Sequence, residues 1–148
     1  MGYPMRWTSQ FSAVDKLQII EIEETLGVVF PKDFSDILRQ YPLGSSEDQV
    51  IDFGQFKEKV FAGLLNVGEP DDLITVAKSM RDALPENTVP FGTDPFGNLF
   101  CFRWMNSGEP QVVYWDHETY GRTEDIEKSV FFVATSWKEF LSKLYTPA

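Results

Sequence analysis

Apolar positions recur along this chain with two periods, and the switch between them predicts the elements. Residues 14–26, VDKLQIIEIEETL, are good helix formers throughout, and Gly27 stands where a left-handed C-terminal cap is wanted. In the VVFPKDFSDILRQY that follows, Pro31 suits a first helical position. Phe34, Ile37, Leu38 and Tyr41 fall at i, i+3, i+4 and i+7, so one stripe of this second helix faces a core. PLGSSEDQ is rich in turn formers, a short strand begins at Val50-Ile51-Asp52-Phe53, and another is expected around residues 60–65. Leu73, Ala77, Met80 and Leu84 line one side of a third helix that Pro85 stops. Asp71 and Asp72 at its start and Lys78 and Arg81 nearer its end suit the helix dipole.

Strands follow. Residues 99–104 and 111–116 read as a hairpin joined by MNSGEP. Leu99 and Cys101 point one way while Phe100, Phe102 and Trp104 point the other, so both faces are apolar and the sheet is expected to be covered at least partly on each side. After the polar stretch HETYGRTEDIEKS come residues 130–134, VFFVA, and then a last helix in TSWKEFLSKLY. Ser136 with Glu139 forms a capping-box pattern there, and Trp137, Phe140, Leu141 and Leu144 form the apolar stripe. The order helix, helix, strands, helix, strands, helix lacks the regular alternation of a doubly wound fold and has no repeat or linker.

Composition narrows this further. A chain of 148 residues with 43% apolar and 15% aromatic residues can bury one core and gives no case for disorder. The single Cys101 forms no intramolecular disulfide, and with one histidine it builds no zinc site, so a reducing, cytoplasmic setting is expected. The opening MGYPMRW lacks the apolar run of a signal peptide, and no segment approaches the ~20 apolar residues of a membrane span. The formal charge is −10, and residues 1–127 carry 22 acids against 10 bases, a balance of −12. Such a surface repels nucleic acid, steers cationic partners inward and serves solubility.

The stretch PFGTDPFGNLF, residues 90–100, is the most suggestive locally. A phosphate loop needs a following Lys-Ser/Thr and a helix, whereas Asn98 leads here into strand-like residues. A chain reversal fits better: Pro95 presets φ, Gly97 or Asn98 supplies a positive φ, and Asp94 bonds its own backbone while remaining free to project into solvent. Cys101, His117 and Asp116 are the residues from which a nucleophile and base could be assembled. A thiol amid aromatics in a central strand is instead expected to be an inert small hydrophobe, and His117 lies between Asp116 and Glu118 just past a strand. The adjacent pairs Glu23/Glu24 and Asp71/Asp72 do not share a helical face, and no metal-binding His/Glu pair, serine elbow or nicotinamide fingerprint is present in the sequence.

Taken in order, IEETLGVVFPKDFSDILRQY, VPFGTDPFGNLFCF, QVVYWDHE and VATSWKEFLSKL resemble the SUKH superfamily in its Smi/Knr-like branch. They carry the resemblance through a Leu-Gly helix end before a Pro-initiated aromatic helix, a Phe-Gly…Asp…Gly-Asn strand turn, the strand after it and a closing helix. The resemblance covers residues 14–145 and implies a single domain over 1–148. It implies an α+β fold with a mainly antiparallel central sheet and about four helices around it. It also implies a non-enzymatic protein without cofactor or metal. Bacterial members resemble immunity proteins that bind a cognate polymorphic toxin, nucleases among them; fungal relatives act as interaction scaffolds in cell-wall assembly and signalling. The acidic main body fits a protein partner with a basic surface, not direct contact with nucleic acid or membrane. By position, the partner-binding residues are expected at the turn, Asp94 and Asn98, and at the strand end, Asp116, His117 and Glu118. A regulatory interaction scaffold in cell-wall assembly or stress signalling is the alternative expectation, and an enzyme built on Cys101 and His117 is a third.

Overall fold

The computed structural model describes residues 6–147. Met1 to Met5, part of the opening read as lacking a signal peptide, lie outside the described residues. A two-residue strand β1 (Trp7–Thr8) precedes α1 (Lys16–Leu26) and α2 (Lys32–Gln40), then pairs antiparallel with β2 (Ser45–Ser46). Helix α1 starts two residues later than its apolar pattern suggests because Asp15 is the cap. The Asp15 carboxylate accepts the Leu17 N–H at 2.9 Å, and the Gln18 side chain accepts the Asp15 N–H at 2.9 Å, a reciprocal capping box. Gly27 closes the helix in the left-handed region, as expected. Pro31 is the cap residue of α2 and not its first turn, and Phe34 and Leu38 project from that helix into the core with no exposed surface.

A ribbon of β3 (Val50–Phe53) and β4 (Phe56–Val60) leads into a five-stranded antiparallel sheet. Its strands are β5 (Gly63–Leu64), β6 (Thr88–Thr93), β7 (Leu99–Arg103), β8 (Gln111–Trp115) and β9 (Val130–Ala134), arranged in chain order. Helix α3 (Leu73–Ser79) lies between β5 and β6, and α5 (Trp137–Lys143) closes the chain. The apolar stretch around residues 60–65 is therefore divided between two strands. Helix α3 is also shorter than its pattern: Ser79 donates its hydroxyl back to the Val76 carbonyl at 2.9 Å, and the residue ahead of Pro85 is biased away from helix. Leu84 still reaches apolar neighbours, but through a turn.

Strand alternation divides the side chains into two cores. Phe100, Phe102, Val112 and Tyr114 join Phe34, Phe61, Phe91, Trp137 and Phe140 in the main one, while Leu99, Cys101, Val113 and Trp115 meet Leu84 on the other face. Both faces are thus covered, as both-sided apolarity requires. Trp137 is the centre of the main core: its ring stacks on Phe140 at 5.5 Å and on Trp7 at 6.2 Å, and meets Phe34 edge-on at 5.0 Å and Phe91 at 5.5 Å. Ser136 caps α5 by accepting the Glu139 N–H at 3.1 Å, but the Glu139 carboxylate returns to the Thr135 N–H at 2.9 Å, one residue outside the expected box. The polar stretch after β8 also contains structure: a four-residue helix α4 (His117–Tyr120) and a 3-10 turn (Ile126–Ser129). The architecture is α+β, as the sequence implies.

Replacing Trp137 by alanine leaves a void that its packed aromatic neighbours close only in part. The expected loss is about 3–5 kcal/mol, read as a lower urea midpoint at unchanged slope. A midpoint within experimental error of the parent would show that this ring is not the centre of the core.

Candidate functional site

Strand β6 ends at Thr93, and the chain reverses through Asp94-Pro95-Phe96-Gly97-Asn98 into β7. Gly97 takes the positive φ of this turn, at 89°, and the Asp94 N–H closes it on the Asn98 carbonyl at 3.1 Å. Gly92, just upstream, is required by close approach: a Cβ there would lie 2.5 Å from the Phe61 ring and 2.8 Å from the Gly63 carbonyl of the neighbouring strand.

The turn is held by one buried carboxylate. Asp94 Oδ1 accepts the Phe96 N–H at 2.8 Å and the Asn98 N–H at 2.9 Å; Oδ2 accepts the Asn98 side-chain amide at 2.8 Å and the Tyr114 hydroxyl at 2.6 Å. Because the amide nitrogen of Asn98 faces Asp94, its oxygen faces α4, where it accepts the His117 backbone N–H at 2.9 Å and lies 2.6 Å from His117 Nδ1. A carbonyl oxygen can only accept, so the His117 proton sits on Nδ1 and Nε2 is the nitrogen outside the network. The pairing of Leu99 with Trp115 and Phe100 with Tyr114 brings these groups together, by setting the turn beside the end of β8.

The structure therefore joins Asp94, Asn98 and His117 and corrects one expectation. Asp94 does not project into solvent; it is 6% exposed and Asn98 is 4% exposed, because their polar atoms face inward on each other. Asp116 also turns inward, accepting the Thr119 N–H at 3.3 Å and its hydroxyl at 2.5 Å as the cap of α4. His117 and Glu118 remain exposed. Two residues at this site escape sequence reasoning: Tyr114, which supplies the hydroxyl, and Phe96, which is 71% exposed at the tip of the turn. The signal for Phe96 is an apolar residue set between Pro95 and Gly97, inside a turn that otherwise excludes apolar residues.

The electrostatics follow from burial. Removal from water pushes the Asp94 carboxyl up, but the hydrogen bonds from Tyr114, Asn98 and Phe96 together outweigh it and hold the group below its ordinary value. Burial, and then the hydrogen bond to Asp94, raise the Tyr114 hydroxyl far above the usual range. Burial alone raises the Cys101 thiol, which lies in the second core on the face of β7 opposite Tyr114. Such a thiol is neither ionised nor accessible. Among the described residues, no group of three or more His, Cys, Asp or Glu side chains could hold a metal ion, and no helix is long and apolar enough to cross a membrane. At the far end of β7 a groove of about 580 Å³ is lined by Val28, Val29, Phe30, Trp104 and Met105, with Glu109 at its margin.

Asp94→Ala orphans the Tyr114 hydroxyl and the Asn98 amide and is expected to lower stability by about 3 kcal/mol near neutral pH. Since the folded carboxyl titrates below its unfolded value of about 3.9, the part of that contribution that depends on its charge is complete above pH 4–5 and is lost as pH falls through the folded value. The gap between parent and variant in urea melts should accordingly narrow below about pH 4; a gap of constant size down to pH 2 contradicts the assignment. Cys101 should resist iodoacetamide in the native protein and react on denaturation, and native labelling at the rate of a free thiol would place it at the surface.

Comparison with known proteins places the chain in a family. A family model, SUKH_6, described as SMI1-KNR4 cell-wall, matches residues 16–141. A prophage-derived uncharacterized protein of Bacillus subtilis (strain 168), SPbeta YokK, is 25% identical over 154 residues, covering 86% of this chain and 72% of the relative. The match spans the structure from the first turn of α1 into α5 and so includes the Asp94 turn, and on that extent the chain belongs to the SUKH_6 family of SMI1-KNR4 proteins.

Proposed function

We propose that this protein is a non-enzymatic cytoplasmic immunity protein that binds a cognate polymorphic toxin and neutralises it by masking the toxin's active surface. The observation that carries the reading is how the polar groups are divided. Those buried at the turn, Asp94, Asn98 and Tyr114, are satisfied by one another, so none of the three is left poised to transfer a proton or attack a substrate. The surface carries the excess of acids. A rigid anionic exterior suits association with a cationic macromolecule, the class to which a nuclease toxin's phosphate-holding surface belongs. The prophage origin of the Bacillus subtilis relative puts at least one similar chain on a mobile element.

A second reading, a regulatory interaction scaffold, draws on the cell-wall wording of the family description. The two separate experimentally. With the toxin domain encoded by the adjoining reading frame, the immunity reading expects a dissociation constant below micromolar and restored growth when the two are co-expressed. Its association rate should fall about tenfold or more between 50 and 500 mM salt. Retention of a housekeeping protein from toxin-free cells, with no binding to any basic toxin domain at micromolar concentration, would favour the scaffold and remove the immunity reading.

A further inference from the structure

Several large apolar side chains are exposed: Leu17 at 70%, Val29 at 77%, Phe96 at 71% and Met105 at 62%. Exposure alone carries little, since most protein surface is apolar by area. Phe96 differs in how it is held. Its N–H is bonded to Asp94 Oδ1, its neighbours are Pro95 and Gly97, and the carboxylate beneath it is tied to β8 through Tyr114. An aromatic ring has two side-chain torsions to freeze, and here the backbone that bears it is already fixed, so ordering it against a partner costs little entropy.

Its surroundings have a consistent chemistry. Gly97 lies against the His117 ring, 3.6 Å from Nδ1 measured from an added Cβ, so the tip of the turn adjoins the exposed start of α4. Tyr120, 36% exposed, closes that side by packing on Trp115 at 5.5 Å. The exposed start of α4 that forms this rim carries Asp116 and Glu118, and the first basic residue after them is Arg122. Glu127 lies away from this rim, paired at 2.7 Å with Arg103 at the other end of β7. An exposed aromatic ring beside these rim carboxylates, with Glu118 in solvent, complements an apolar socket rimmed by lysine and arginine. The groove near Met105 has Glu109 as its one charged lining residue, and its exposed apolar side chains are not tied down by a buried carboxylate as Phe96 is.

We propose that Phe96 is the apolar anchor of the partner interface, seated with His117, Glu118 and Tyr120 around it in a hydrophobic socket on a cationic protein. This rests on the immunity reading above and names the face it uses. The probe is the toxin domain from the adjoining reading frame, inactivated by substitution and titrated against the full chain. Phe96→Ala removes a solvent-exposed ring and should leave the melting temperature nearly unchanged. It should weaken binding about 30-fold or more, chiefly through faster dissociation. Glu118→Gln should slow association a few-fold at low salt, roughly the size of a rim-charge effect, and lose its effect at 500 mM. Met105→Asp, in the groove at the other end of the sheet, should leave affinity within about twofold, as a site outside the interface does. Tight binding by the parent that Phe96→Ala leaves intact, or that Met105→Asp abolishes, overturns the anchor alone. Failure of the parent itself to bind overturns the immunity reading and the anchor with it.

Discussion

The hydrogen bond between the Tyr114 hydroxyl and the Asp94 carboxylate is the contact on which the arrangement of this end of the molecule depends. It joins a strand interior to a turn that would otherwise be fixed only locally, and Asn98 extends the connection to α4 through His117. Burying a carboxylate costs several kcal/mol, and four donors around Asp94 offset that only while all are in place. The network therefore acts as a unit, and its geometry rules out registers of β7 against β8 that would separate Tyr114 from the turn. Its contribution is specificity of arrangement more than net stability, which the aromatic core around Trp137 supplies.

The sheet edges constrain function in a different way. Strand β9 has a bulge opposite Val112 and Val113, which lets Val133 and Ala134 both face the main core where strict alternation would send one outward. Lys143 reaches back from α5 to donate to the Val133 carbonyl, and its ammonium also lies 5.9 Å from the exposed Phe132 ring. A bulge and a lysine are both devices that discourage pairing with a further strand. At the other edge, β5 is covered by the β2 segment, with the Leu64 N–H bonded to the Gly44 carbonyl. Addition of a further strand is thus disfavoured at both edges.

What could be read in the sequence was what local chemistry decides. The helix ends at Gly27 and Ser136, the α2 stripe and the two-sided β7–β8 hairpin follow from caps and periodicity, and so does the Asx-type turn at Asp94. The partnership of Asp94 with Tyr114 spans 20 residues and that of Asn98 with His117 spans 19; neither exists until the register of the sheet is fixed, so the burial of the turn was not legible. Strand β6 contains Pro90 and Gly92, residues that argue against a strand unless a bulge and a close neighbour account for them, and both do here. Helix α4 is four residues long with no buried side chain, so it has no apolar period to detect.

The acidic residues show why composition alone misplaces a surface. Asp94 and Asp116 were natural candidates for a partner because both lie in polar segments beside strand ends, yet each accepts backbone and side-chain donors of its own chain. Short acidic side chains at turns and helix starts are drawn inward by unsatisfied N–H groups, whereas a glutamate two residues beyond Asp116, Glu118, has a longer arm and stays in solvent. Counting charges therefore overstates the field at this end, and the apolar ring whose backbone the buried Asp94 holds in place becomes the more specific feature. In the interface proposed above, charge of this kind governs which partners approach and how fast, and the shape presented by Phe96 and the start of α4 governs which of them stay.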